Sequence, residues 1–127
     1  MAYLLVAIGG ALGSVLRYVC SGMALRLFGA GFPYGTLFVN VVGSYIIGMA
    51  GAFVIAEGRA FTTLDFRLFV VTGILGGFTT FSAFSLDTLT LARGGNLSGA
   101  AVNVVLSLAL CLTAVWLGHF TATAFAR

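Results

Sequence analysis

Ten consecutive residues carry most of the chemistry this sequence could perform: Gly76-Gly77-Phe78-Thr79-Thr80-Phe81-Ser82-Ala83-Phe84-Ser85. Two glycines, three phenylalanines and four hydroxyls sit inside a long apolar segment where a plain helix is expected. Paired glycines lower helix propensity by about 1 kcal/mol each, and Ser and Thr offer the backbone alternative hydrogen bonds. The stretch therefore reads as a helix that breaks within a membrane. Such breaks are tolerated only where the freed backbone groups face protein, an ion or a water-filled path, which makes this one a candidate ion site. A packing kink explains each feature singly, with glycines for close helix contact and phenylalanines towards lipid. The combination favours a site.

Two opposite kinds of ion contact are on offer. Carbonyls closing the first half of the broken segment, around Gly76 to Thr79, are hard oxygen donors at the negative end of a helix dipole. They suit a small cation such as sodium. Phe81 and Phe84 lie at i, i+3 and share a face. An aromatic ring has a positive edge, so phenyl edges can touch an anion without adding a full charge. Asn40, Ser107 and the hydroxyls of Thr80 and Ser82 can donate hydrogen bonds to it. Arg17 is a charge well inside an apolar segment, where a functional role is the default hypothesis. A snorkelling or structural arginine, bonded to carbonyls, is an equal alternative.

The elements that must position these residues follow from composition. The chain has 127 residues, 61% hydrophobic and only 7% charged, against roughly 25% charged in soluble domains. Lysine is absent, all six basic residues are arginine, and the acids are Glu57, Asp65 and Asp87. This composition specifies an integral membrane protein built almost entirely of spans, in one transmembrane domain over 1–127. A net charge of +3 from scattered arginines makes no basic patch, so no nucleic-acid partner is expected. The first segment lacks a basic leader region and other spans follow it, so it does not read as a signal peptide. Cys20 and Cys111 both fall in apolar segments and read as packing residues rather than a disulfide or metal pair.

A spanning helix needs about 20 apolar residues, and four segments qualify: about 3–28, 36–56, 68–91 and 97–125. In the first, Gly9, Gly13 and Arg17 share a face beside Gly10 and Ser14. Small residues at this spacing let helix backbones approach closely. Gly29 to Gly35 form the first turn, with Pro33 as helix breaker. In the second span Gly43, Ser44, Ile47, Gly48 and Gly51 form a packing stripe, and Asn40 needs a polar partner. Glu57 to Phe66 form the charged loop, with Arg67 just beyond. Asp87 reads as interfacial, within reach of the loop holding Arg93, and His119 as interfacial too. In the fourth span Asn103, Ser107, Cys111, Ala114 and Gly118 form a polar and small stripe, suited to helix contact or to a hydrated track.

Arginine counts near span ends set orientation in the membrane. One side holds Arg59, Arg67 and Arg127; the other holds Arg26 and Arg93. This near balance would let the chain insert both ways. Two opposed copies would form an antiparallel, dual-topology homodimer whose symmetry brings the two breaks together, and closed two-fold assemblies are the commonest oligomers.

At this point the residues match a known family. The run from Gly76 to Ser85 resembles the GGxxTFSTFS signature of the Fluc (CrcB-type) fluoride channels. Gly35-Thr36-Leu37-Phe38-Val39-Asn40-Val41-Val42-Gly43 resembles their GTLxxNxxG motif, and Gly9 to Arg17 is similar to their glycine-rich first span ending in an arginine. The length and four-span layout also fit. The resemblance implies an antiparallel homodimer in a bacterial inner membrane that exports fluoride passively through two narrow pores. It implies a central structural sodium ion held by backbone carbonyls matching Gly76 and Thr79 from both subunits. It implies that Phe81 and Phe84 line the fluoride path, that Asn40 reaches in from the second span, and that Ser107 matches a polar position on the fourth. Arg17 would attract anions in a vestibule. The chain departs from the pattern at Cys111, where some relatives carry a hydroxyl, and at Ala83, which replaces a frequent threonine or serine.

Other classes fit less well. A small dual-topology multidrug exporter would carry a membrane-embedded glutamate in its first span, and none is there. An intramembrane enzyme would need a nucleophile and base pair, and His119 is the one histidine. No P-loop signature is present. A non-transporting assembly subunit would leave the clustered phenylalanines and hydroxyls without a purpose.

Overall fold

The computed structural model describes residues 1–55 and 63–125. The helices in chain order are α1 (Ala2–Phe28), α2 (Tyr34–Ile55), α3 (Leu64–Phe66), a π-wound segment (Arg67–Leu75), α4 (Gly76–Phe78), α5 (Phe81–Arg93) and α6 (Leu97–Phe125). By length and composition four helical stretches could cross a membrane: Ala2–Phe28, Tyr34–Phe53, Leu64–Arg93 and Leu97–Phe125. Three boundaries of the second and third stretches differ from the sequence reading. The second helix starts at Tyr34 rather than Thr36, and the third helical stretch runs from Leu64 to Arg93 rather than over 68–91. The expected end of the second span at Ala56, Glu57 and Arg59 of the charged loop, and Arg127 all lie outside the described residues.

Local chemistry accounts for the starts and stops. Gly29 ends α1 with φ 77° while its N–H bonds the Leu25 carbonyl at 2.9 Å. That left-handed conformation suits a residue without Cβ. Pro33 stands just before α2 and its carbonyl accepts from the Leu37 N–H at 3.1 Å. At a helix start its missing N–H costs nothing, which explains why α2 begins straight after it. Asn96 caps α6, its Oδ1 accepting from the Gly99 N–H at 2.8 Å.

Helix packing is set by small residues. The most extensive contact is between α2 and α6. Gly48 lies against the Val115 carbonyl and Gly118 against the Tyr45 carbonyl, so close that a Cβ at either position would collide with backbone. Ala100, Asn103, Ser107, Ala114, Gly118 and Ala122 are the buried face of α6. The second-span stripe is shorter than its spacing suggests: Gly43 and Gly48 are buried, whereas Ile47 is exposed and Gly51 faces open space.

The second major contact joins α1 to the π segment and α4. Gly9 and Gly13 are buried there against the Phe69 and Ile74 carbonyls. A Cβ built on Gly73 would stand 2.9 Å from the Gly9 Cα, and one on Gly77 would stand 2.5 Å from the Gly10 carbonyl oxygen. Arg67–Leu75, which leads into the glycine pair, winds as a π-helix, a feature the sequence reading does not anticipate.

Candidate functional site

Helical geometry stops at Phe78 and resumes at Phe81. Thr79 (φ −84°, ψ 156°) and Thr80 (φ −155°, ψ 113°) are both extended. No helical hydrogen bond crosses these two residues. The carbonyls of Gly76, Gly77, Phe78 and Thr79 therefore lose the acceptor roles they would have in a continuous helix. The N–H groups opening α5 lose their partners in the same way. The end of α4 presents negative partial charge and the start of α5 positive partial charge to the same small volume.

Asn40 satisfies the residue at the centre of the gap. Its Nδ2 donates to the Thr80 carbonyl at 3.0 Å, and its Oδ1 accepts from the Thr80 N–H at 2.7 Å. The paired bonds fix the amide orientation, because only the Nδ2 end can donate to a carbonyl. The polar partner that Asn40 needs in an apolar span is thus the unpaired peptide of Thr80. One N–H of the Asn40 amide is left over for another acceptor.

The two threonines close the cut ends. Thr79 donates from both its N–H and its Oγ1 to the Leu75 carbonyl, at 3.0 and 2.9 Å. Thr80 caps α5, its Oγ1 accepting from the Ala83 N–H at 3.2 Å. The same hydroxyl lies 3.3 Å from Ser82 Oγ. Space for Thr79 comes from Gly43, where a Cβ would overlap the Thr79 methyl group.

A cleft of about 390 Å³ opens on this gap. Asn40, Gly43 and Ser44 line it from α2; Gly76, Thr79, Thr80, Phe81 and Phe84 from the interrupted stretch; Ser107 and Cys111 from α6. The Phe81 and Phe84 rings lie 5.3 Å apart at 50°, so both faces and edges are presented. Phe81 is 75% exposed at the cleft mouth. Ser107 is buried yet makes no hydrogen bond to a described residue.

Most residues singled out in the sequence converge here: Asn40, Gly76, Thr79, Thr80, Phe81, Phe84 and Ser107. Ser82 and Arg17 do not line the cleft. Ser82 is exposed beside Thr80, and Arg17 is half-buried on α1 without a hydrogen bond or ion pair to any described residue. Cys111, read from the sequence as a packing residue, is a wall of the cleft. Asp87 accepts a 2.6 Å hydrogen bond from Thr36 Oγ1, near the start of α2. The sequence reading passed over one polar relay. Asn103, 1% exposed, donates to Thr88 Oγ1 at 2.9 Å, and Thr88 donates to the Phe84 carbonyl at 2.8 Å. A signal existed: Thr88 follows Phe84 by one helical turn, and Asn103 needs a partner.

Four apolar helical stretches, one of them interrupted beside a cleft that carries a few polar groups, mark a multi-pass membrane protein. The family model described as CrcB-like protein, Camphor Resistance (CrcB), matches residues 4–119, and the chain belongs to that family. Relatives agree over nearly full length. The chain is 57% identical over 120 residues to a protein of Opitutus terrae named fluoride-specific ion channel FluC, covering 94% of this chain and 91% of the relative. It is 52% identical over 119 residues to the protein of the same name from Rhodospirillum rubrum, covering 94% and 92%. With that of Paramagnetospirillum magneticum it shares 48% over 127 residues, covering 100% and 99%.

Proposed function

We propose that this chain is a fluoride-selective channel that lowers cytoplasmic fluoride by letting the ion leave passively through a bacterial inner membrane. The observation that carries the reading is the cleft: a peptide gap, two phenylalanine edges, an amide and an unpaired serine hydroxyl meet in one small volume. The relatives' names support the choice of ion.

Fluoride is small and strongly hydrated, so losing water is its main barrier. The spare N–H of Asn40 and the Ser107 hydroxyl replace water one contact at a time. The Phe81 and Phe84 edges add attraction without a fixed charge that would trap the ion. Thr80 and Ser82 hydroxyls extend the donors towards the cleft mouth. Chloride is larger and fits a narrow path poorly. Downhill movement needs no energy source.

The cleft is open along one face of the single chain, and polar backbone left open to lipid is costly. A second copy of this chain, inserted in the opposite orientation, would cover it. That arrangement makes the interruption at Thr79–Thr80 a mid-membrane break shared across a two-fold axis. The carbonyls of Gly76 and Thr79 suit a structural sodium ion at that axis, since they are hard oxygen donors relieved of helical partners. When bound, sodium supplies positive charge that balances those carbonyl ends. Arg17, a cation without a described partner, would attract anions in a vestibule.

The test is efflux from liposomes holding the purified protein, with fluoride and chloride release followed in parallel. The expected result is fast fluoride loss, little chloride loss, and strong slowing by Phe81→Ile. No fluoride release from a well-folded protein overturns the reading.

A further inference from the structure

We infer that Asn103 and Thr88 form a clamp that sets the width of the cleft, and with it the preference for a small anion over a larger one. The inference rests on the reading of that cleft as the fluoride route. Neither residue lines the cleft; both act as positioning residues. Asn103 is 1% exposed on α6. Its Nδ2 donates to Thr88 Oγ1 at 2.9 Å, and Thr88 donates its own proton to the Phe84 carbonyl at 2.8 Å. With that proton spent, the Thr88 oxygen can only accept, so the amide must present its N–H groups. Among the described residues this is the one hydrogen bond that joins α5 to α6. The bonds from Asn40 to Thr80 and from Thr36 to Asp87 tie the same stretch to α2 instead.

Position gives the link its effect. Phe84 on α5 and Ser107 on α6 both wall the cleft. Thr88 is four residues after Phe84, and Asn103 is four before Ser107. The link therefore crosses from α5 to α6 one helical turn, about 6 Å, from the cleft. Little else fixes that spacing. No residue of α5 is buried, and α5 has no glycine to admit a close backbone contact. In hydrocarbon, apolar contact does little to hold helices together, so hydrogen bonds and close packing must do it. Without the link, Phe84 stands further from α6 for more of the time. Fluoride, the smaller ion, passes at either width; chloride passes only at the wider one. The net worth of one typical hydrogen bond corresponds to about fivefold in the population of the wider state.

The experiment is release of fluoride and of chloride from liposomes holding the full-length protein, each ion followed by its own electrode. Variants are compared once they are monodisperse in detergent. In Thr88→Val and in Asn103→Leu the ratio of chloride to fluoride release rises about fivefold. The double variant rises no further, because the same link is lost each time. Thr88→Ser keeps the hydroxyl and keeps the ratio. Thr90→Val is the control on the same helix. Thr90 is exposed and bonds the Leu86 carbonyl within α5 at 2.9 Å, so its loss leaves the ratio unchanged. A merely structural role lowers release of both ions together, and an unmoved ratio in a folded Thr88→Val or Asn103→Leu overturns the inference. An equal rise in Thr90→Val overturns it too. So does loss of fold in both single variants, since the link would then hold the fold rather than the spacing. No fluoride release from the unchanged protein sinks the channel reading instead; fluoride release with an unmoved ratio sinks the clamp alone.

Discussion

The two halves of the third helical stretch make contact in opposite ways. The first half, Arg67–Leu75 with α4, presses on α1 through bare backbone: Gly9 and Gly13 against Phe69 and Ile74, Gly73 against Gly9, Gly77 against Gly10. The second half, α5, meets α2 and α6 through polar side chains: Asn40 on Thr80, Thr36 on Asp87, Asn103 on Thr88. The first contact tolerates no added atom. The second leaves a cleft and spends its hydrogen bonds on holding an unpaired peptide in place. A membrane protein gains little from burying apolar surface, because lipid is as apolar as its side chains, so close packing and hydrogen bonds take over. Here each mechanism has its own half of one span, and the boundary between them is the interruption at Thr79–Thr80.

The sharpest way to break the comparison is at the glycine contact. In Gly13→Val the new side chain lands on the Ile74 carbonyl, which cannot rotate away. Overpacking typically costs about 1–3 kcal/mol and sometimes more, and here the obstacle is backbone. The expected outcome is loss of the monodisperse folded species by size exclusion in detergent. A folded Gly13→Val protein would mean that the first half is not held by backbone contact.

At the polar contact, Asn40→Ala strands the N–H and carbonyl of Thr80. An unsatisfied buried polar group costs about 1–3 kcal/mol, so the thermal midpoint in detergent should fall clearly while the protein still assembles. Fluoride efflux should fall further than the midpoint implies, since the donor proposed for the ion is also lost. Asn40→Asp keeps an acceptor for the Thr80 N–H but loses the donor to its carbonyl, and should lie between.

Thr88→Val removes the relay between Asn103 and the Phe84 carbonyl with little change of shape. A net loss of about 1 kcal/mol is expected for a hydrogen bond of this kind, measured by the same melts. An unchanged midpoint would show that water replaces Thr88. The smallest effect belongs to Gly51→Ala. That position faces open space, and surface changes usually stay within about 0.5 kcal/mol. Any slight gain would come from better helix propensity. A large loss there would mean that a further surface covers Gly51.

Much of the site is visible in the sequence because its residues are unusual for where they stand. A pair of glycines followed by hydroxyls and phenylalanines contradicts its apolar surroundings, and that contradiction locates the gap. Asn40 and Asn103 are conspicuous for the same reason. Their partners are not conspicuous. Thr80 lies 40 residues from Asn40 and Thr88 lies 15 from Asn103, and periodicity says which face a residue occupies but not what that face meets. Thr36 and Asp87 are 51 residues apart, and no local pattern joins them.

The sequence by itself determined the class of molecule: four apolar segments, almost no charge, and a polar interruption in the third. Hydrophobic length and composition decide those properties, and both are local. Only the tertiary structure decided that Asn40 completes the broken backbone rather than standing free, that Arg67–Leu75 widens into a π-helix against α1, that Ser107 and Cys111 share the cleft wall, and that Arg17 and Ser82 stay out of it. Those outcomes depend on which backbone groups remain unpaired once the helices have packed, and an unpaired group takes whichever donor or acceptor the packing brings within 3 Å or so.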